Sequence, residues 1–313
     1  MFIISHQSAL EYWRVNRDIP IAGAQRRRNV TLPVDSPAIG LLKETGLTPP
    51  LHIMVGNPGA RRLSLPAKQH IFRGGTPAGC FINAGDGYMV SSPEFLYLQM
   101  ANQLSLIGLI ELGYELCGTY SRPTDGEQTL PIESPYNHAP LTSKERLKAF
   151  AKSMPGTKGH QNAVRALRYI QDSSASPMET KLTLLLTLPY KLGGYNIPMP
   201  ELNRRFDPVK SAKRVSSKDY YTCDLSWPDF NLVVEYDSDL FHTSPERIAE
   251  DAKKKNALAS IDVTPITVTR QQIRSTLEFE KIARLLAGKL GKKLQYKNPG
   301  FGAAHRELRK QLF

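Results

Sequence analysis

Two hydrophobic rhythms alternate along the chain. In residues 92–120, SPEFLYLQMANQLSLIGLIELGYELCGTY, apolar residues return every three to four positions, the spacing of a helix face. Ser92 suits a cap, Pro93 suits a first helical position, and Gly113 and Gly118 are candidate stops or breaks. Upstream, LHIMVGNPGARRLSLPAKQHIFRG (51–74) holds two apolar runs around a Gly/Pro turn at Asn57–Gly59, which predicts two strands. Earlier still, SALE (8–11) offers Ser8 as a helix cap with Glu11 reaching back to it as a capping box. A polar, Pro-rich stretch at 121–143 then interrupts both rhythms and marks a domain boundary.

The second half is more regular. HQNAVRALRYIQDS (160–173) and SPMETKLTLLLTLPYKL (176–192) read as helices, the latter capped by Ser176 with Glu179 three residues on. GYNIPMP (194–200) is a candidate short strand, and the basic insertion NRRFDPVKSAKRVSSK (203–218) leads into the strand DYYTCDLSW. After a turn at Pro228–Asp229 come the strand FNLVVEYD, the helix SPERIAEDAKKKNALAS, the strand VTPITVT and the helix LEFEKIARLLAGKL. This order predicts an α/β (α+β) chain. Residues 1–130 form a smaller α+β N-terminal domain, 131–159 a linker, 160–290 a domain with a short mixed central sheet flanked by helices, and 291–313 a basic tail.

Charge narrows the choice of partner. The 313 residues carry 41 Lys and Arg against 29 Asp and Glu, a net +12, which favours an anionic partner and nucleic acid first. The basic residues concentrate at Arg204, Arg205, Lys210, Lys213 and Arg214, and again from Lys281 to the end, where Glu307 is the lone acid. Phosphate neutralisation by such residues gives sequence-independent affinity, and Tyr220, Tyr221, Tyr296 and Phe301 lie among them as candidate stacking partners for bases. A solvated helix face ending in a frayed tail is the plainer reading of the C-terminus. Cys80, Cys117 and Cys223 are odd in number, far apart and without zinc-site spacing, which suits a reduced, cytoplasmic setting. The N-terminus lacks the pattern of a signal peptide, and the most apolar stretch is broken by Glu111 and Glu115.

One segment breaks its own pattern. CDLSWPDFNLVVEYDSDLFH (223–242) places acids in a run that otherwise reads as strand, where Asp and Glu are depleted. Alternation sets Val233, Glu235 and Asp237 on one face and Val234 and Tyr236 on the other. The short connection at Trp227–Asn231 permits an antiparallel pair, one register of which brings Asp224 close to Glu235 or Asp237. Clustered carboxylates raise one another's pKa unless a positive group lies between them. Mg²⁺, with Mn²⁺ as a substitute, is the expected ion, and Asp224, Glu235 and Asp237 are its expected ligands. His242, just beyond, could shuttle a proton or touch a phosphate. Each residue has a plainer reading too. Glu179 completes a capping box, His242 sits in a solvated loop, and Asp251 with Lys254 or Lys255 makes an ordinary helix-surface pair.

Taken in order, the helix opening SPMET, the strand ending CDLSWP, the strand VVEYDSDLFH and the helix EDAKKKNALAS before ITVT resemble a known family. It is the restriction-endonuclease-like PD-(D/E)XK superfamily, within it the very-short-patch-repair-like (Vsr-like) branch, and the resemblance covers roughly 160–290. It implies a metal-dependent endonuclease that hydrolyses DNA phosphodiester bonds, RNA not being excluded, with Glu179, Asp224, Glu235, Asp237 and His242 as its catalytic set. Arg204, Arg205, Lys213, Arg214, Lys254 and Lys255 are the expected nucleic-acid contacts, and double-strand cleavage would favour a homodimer. Three positions depart from the pattern: Asp237 stands where the lysine of ExK belongs, Ser238 replaces a Gly, and Lys254 replaces an Arg. The alternative is a catalytically inactive DNA-binding regulator of a defence or toxin–antitoxin type system. The upstream region is loosely similar to abortive-infection antitoxin-type regulators.

Overall fold

The computed structural model describes residues 1–17, 30, 32–33, 45–57, 67–85, 87–123, 135–207, 220–238, 245–296 and 299–313, apart from the side chains of Glu246 and Arg247. These form two compact units, Met1–Asp172 and Ser173–Phe313.

The first unit is a five-stranded mixed sheet with helices. Its elements are β1 (Phe2–Ile4), α1 (His6–Val15), β2 (Leu51–Val55), β3 (Ala67–Ile71), β4 (Phe81–Gly85) and β5 (Tyr88–Ser91). The helices α2 (Pro93–Met100), α3 (Leu106–Cys117), α4 (Lys144–Ser153) and α5 (His160–Ala166) follow. The sheet order is β3-β2-β1-β5-β4. The two runs of 51–74 are strands, yet β2 and β3 pair parallel, so no tight hairpin joins them. SALE is not a capping box: α1 starts at His6, Ser8 Oγ accepts from the His52 N–H, and Glu11 holds the Thr48 N–H and hydroxyl. Both groups tie α1 to the start of β2 instead of closing a helix end.

Ser92 caps α2 as its position suggests, and Ser105 caps α3, which divides the stretch into two helices. Gly113 does not stop α3; the Ile170 side chain fills the space that a Cβ there would need. That contact, with buried Ala163 and Ala166, holds the 160–170 segment in the first unit. The division between units therefore falls at Asp172, downstream of the 131–159 stretch. The acids of α3 are buried and paired. Glu115 receives Arg14 Nε and Nη2, each at 2.8 Å, and although burial opposes its ionisation, the guanidinium holds its pKa below the ordinary value. No helix among the described residues is long and apolar enough to cross a membrane.

His6, His52 and His70 meet in this unit. The His6 and His70 rings stack at 3.6 Å between centroids, and His70 Nε2 lies 3.1 Å from His52 Nδ1. Burial, with His70, His52 and Lys68 adding repulsion, lowers the His6 pKa to about 3. Unfolding restores an ordinary value near 6.5, so below that pH the unfolded chain binds the extra proton and stability falls, until the loss saturates near pH 3. At pH 5 this group alone should cost about 2 kcal/mol. Thermal denaturation at pH 7 and pH 5 should show a smaller acid-induced drop for His6→Asn, whose side chain tolerates the same backbone; an equal drop would refute the assignment.

The second unit runs α6 (Pro177–Thr187), β6 (Glu201–Phe206), β7 (Tyr221–Trp227), β8 (Leu232–Asp237), α7 (Pro245–Ala259) and β9 (Thr264–Thr269). It closes with α8 (Arg270–Arg274), α9 (Thr276–Lys289) and α10 (Phe301–Leu312). Its sheet has the order β6-β7-β8-β9, antiparallel across the first three strands and parallel between β8 and β9. Residues 194–200 are not a strand. Their backbone N–H groups at Tyr195 and Ile197 bond carbonyls at the end of α6, and the strand falls instead on ELNRRF, partly within the basic insertion.

The C-terminus is docked rather than frayed. His305 Nδ1 lies 2.6 Å from Gly193 O, and Arg309 Nη2 donates to Ile273 O and Arg274 O. Phe301 packs among Tyr190, Tyr195 and His305, which takes its ring out of contention for base stacking. Gly193, at φ +88°, lets the backbone of Ala304 pass where a Cβ would collide.

Candidate active site

A transverse row of polar residues crosses the second sheet. Leu202 faces Leu225 and Arg204 faces Cys223, so Asn203 on β6 lies across from Asp224 on β7. Leu225 faces Val234, and one further step of that register sets Asp224 across from Glu235 on β8. Glu235 in turn faces Thr267 of β9. Of the two acids that the sequence offered as neighbours of Asp224, the pairing selects Glu235.

The row is held by side chains rather than by a continuous ladder. Asp224 Oδ2 accepts the Tyr236 N–H at 2.7 Å, just past the last paired rung of β7 and β8. Asn203 drops out of the β6–β7 register with φ at +49°, a left-handed conformation that Asn tolerates better than most residues. Its amide Nδ2 donates to Ser173 O at 2.8 Å and to Glu179 Oε2 at 2.7 Å. Glu179 reaches the row from the first turn of α6, whose start is fixed by Ser176 Oγ accepting the Glu179 N–H at 3.1 Å. The return bond of a reciprocal capping box is not made to Ser176. The Glu179 carboxylate takes the Ala175 N–H at 2.9 Å, and so Glu179 is both a helix-start residue and a member of the cluster.

A further contributor is Lys254 on α7. Its Nζ donates to Glu235 Oε2 at 2.8 Å and to Thr222 O at 2.7 Å. An ammonium thus reaches Glu235 from a helix and not from position 237, and the surface pairing of Lys254 with Asp251 gives way to this inward contact. Burial opposes its charge, but Glu235 more than offsets that and raises the Lys254 pKa.

Charge in the cluster is lopsided, with three carboxyl groups beside one ammonium. Burial, then the Glu235 and Glu179 charges, push the Asp224 pKa up to about 8. Burial likewise raises Glu179, with Glu235 contributing and its hydrogen bonds opposing. Glu235 Oε1 is buried and lacks a strong hydrogen-bond partner, with the Cys223 thiol beside it. That thiol is itself pushed up by burial and by Glu235.

Asp237 sits at the end of β8, across from Thr269 and half exposed. Among the described residues, no three His, Cys, Asp or Glu side chains stand close enough to hold a metal ion, so Asp224, Glu235 and Asp237 are not assembled as a three-ligand set. Protein donors already engage one oxygen each of Asp224 and Glu235. Mg²⁺ is usually bound through one or two carboxylates, with waters and substrate oxygens completing the shell. Asp224 and Glu235 are the two carboxylates that could meet that smaller requirement.

Of the expected nucleic-acid contacts, Arg204 pairs with Glu201 and Arg205 with Asp207, each at 2.8 Å, and Arg205 lies over the Tyr220 ring at 4.1 Å. Lys255 is exposed, whereas Lys254 belongs to the cluster. His242, Lys213 and Arg214 lie outside the described residues. Sequence reasoning missed Asn203, because a left-handed residue inside a strand leaves no periodic signal. Its only trace was a polar residue opening NRRF. No family model, curated protein or solved structure matches the chain.

Proposed function

We propose that residues 173–313 form a metal-dependent nuclease domain that hydrolyses DNA phosphodiester bonds. The carrying observation is the cluster of Glu179, Asp224 and Glu235 beside a single ammonium, in which burial and the neighbouring carboxylates push the Asp224 pKa up to about 8. Such an arrangement is costly in a folded protein unless a cation completes it. The order helix, antiparallel β7 and β8, helix, parallel strand supports the restriction-endonuclease-like reading, since the resemblance rests on those elements in that order; β6 adds a strand to it.

A bound Mg²⁺ or Mn²⁺ would neutralise phosphate charge and lower the pKa of water. Asp224 and Glu235 would hold it. Lys254 keeps Glu235 ionised and oriented, and Asn203 with Glu179 fixes the neighbouring edge of the row. Arg204, Arg205 and Lys255 are exposed enough to exchange protein partners for backbone phosphates, because surface pairs are worth little. RNA offers the same phosphate chemistry and is a second substrate to test.

The rival reading is a DNA-binding regulator without catalysis. The Lys254–Glu235 pair favours it, since that contact already occupies the oxygen of one prospective ligand. Supercoiled plasmid and oligonucleotides incubated with Mg²⁺, Mn²⁺ or EDTA separate the two. The nuclease reading expects metal-dependent nicking that Glu235→Gln abolishes. Salt-dependent DNA binding without cleavage in any metal would establish the regulator.

A further inference from the structure

The helices α4 and α5 of the first unit carry a charge pattern that the candidate site does not use. Residues 144–168 hold seven Lys and Arg and one acid, Glu145, whereas the rest of Met1–Asp172 holds eleven against twelve acids. The positive excess of this unit therefore lies on one segment. Within it Arg146 is taken by buried Glu94 at 2.7 Å. Lys148, Lys152, Lys158, Arg165 and Arg168 are exposed, and no ion pair engages them among the described residues. Lys148 and Lys152 stand four apart on α4. Arg165 and Arg168 stand three apart on α5 and the 3₁₀ turn that continues it to Tyr169, so each pair shares a helix face.

Both helices are fixed from beneath. α4 buries Leu147 and Ala151, α5 buries Ala163 and Ala166, and the two helices pack against each other. The start of α4 is set by Ser143 Oγ, which accepts the Arg146 N–H at 3.3 Å, and by the Lys144 N–H, which donates to Asp172 Oδ1 at 2.8 Å. Gly159, at φ +90°, brings the start of α5 onto the end of α2, where a Cβ would lie 3.0 Å from Asn102 N and 3.1 Å from Leu98 O. Asn162 Nδ2 adds a bond to Ala101 O at 3.1 Å. The cations thus stand on a preformed platform, and a partner that meets them has only side chains to order.

We propose that α4 and α5 form a docking surface for the phosphate backbone of a nucleic-acid duplex. Unpaired cations without competing acids suit a polyanion, whose condensed counterions are released as they bind. A lipid surface fits poorly, because the apolar residues of both helices are turned inward and Val164 is the single large apolar side chain exposed on the segment. A single strand fits poorly too, since no aromatic ring of the segment is exposed for bases to stack on. The duplex is DNA or RNA, which share the phosphodiester backbone. The inference goes beyond the nuclease reading: it concerns the other unit and holds whether or not the second unit cuts.

The test is fluorescence anisotropy of the full chain in EDTA, over a range of salt. The probes are labelled DNA and RNA duplexes of two helical turns and the single strands of the same sequence. Wild type should bind a duplex with an affinity that falls steeply as salt rises. Lys148→Gln/Lys152→Gln and Arg165→Gln/Arg168→Gln should each weaken it about tenfold and flatten the slope of log affinity against log salt by about two, without lowering the melting temperature. Lys289→Gln/Lys292→Gln, the same charge change on exposed lysines of the second unit, should cost at most about threefold. A preference between the two duplexes identifies the partner. No duplex binding, tighter binding of the single strands, or a control loss as large as that of the α4 and α5 pairs would overturn the proposal. Metal-dependent cleavage by a chain whose duplex affinity ignores both pairs would sink this inference and spare the nuclease reading.

Discussion

Asp224→Asn is expected to raise the stability of the protein and, under the proposed nuclease reading, to lower metal-dependent cleavage by on the order of 10³-fold, the scale of removing a group that stabilises transition-state charge. Both effects have one source. Asp224 is crowded by Glu235 and Glu179, with Lys254 as the neighbouring cation, and its pKa is pushed up to about 8 against an ordinary 3.8. For an acid with a raised folded pKa, stability is fully present below the unfolded value and is lost as pH rises through the folded one. Asn carries no charge to repel, and its Oδ1 can still accept the Tyr236 N–H. The melting temperatures of mutant and wild type should therefore diverge between pH 6 and pH 8, by the equivalent of about 1–2 kcal/mol. The His6 effect is confined to lower pH and does not interfere. Parallel curves over that range would show that Asp224 is ionised without strain. Cleavage retained by the mutant would remove it from the proposed active site.

How much of this was legible beforehand varies with the physical origin of each feature. The helix at 276–289 and the strands at 221–227, 232–237 and 264–269 followed from periodicity, because their buried faces repeat at the intervals that the backbone dictates. SALE misled because Ser8 and Glu11 bond to His52 and Thr48, residues some forty positions away, and no local pattern encodes such partners. The helix expected over 160–173 ends early, an α-helix to Ala166 and a 3₁₀ turn to Tyr169, and its allegiance to the first unit rests on the fit of Ile170 against Gly113. In the candidate site, Asp224 and Glu235 stood out as acids in strands. Asn203 and the inward turn of Lys254 did not, since one depends on an unusual backbone angle and the other on where α7 crosses the sheet. The stacked histidines were visible only as three scattered residues.

Lys254 carries the second large effect. Its ammonium is the cation bonded to Glu235, and both side chains are about one-fifth exposed. Lys254→Met keeps most of the apolar stem but leaves Glu235 charged, partly buried and unpaired, while also freeing Thr222 O. Breaking a fully buried pair costs about 3–5 kcal/mol, and the partial exposure here reduces that to about 2 kcal/mol. Lys255→Met, on the exposed face one residue on, should stay within about 0.5 kcal/mol of wild type. The decisive comparison is the double mutant Lys254→Met/Glu235→Gln. Removing both charges eliminates the uncompensated carboxylate, so it should recover most of the loss, with a coupling of about 1–2 kcal/mol in a double-mutant cycle by chemical denaturation. Additive losses would mean that Lys254 acts through packing alone. Coupling of the expected size would make the helix-borne lysine the counter-charge that Glu235 requires, the role that Asp237 cannot fill from its place in the strand.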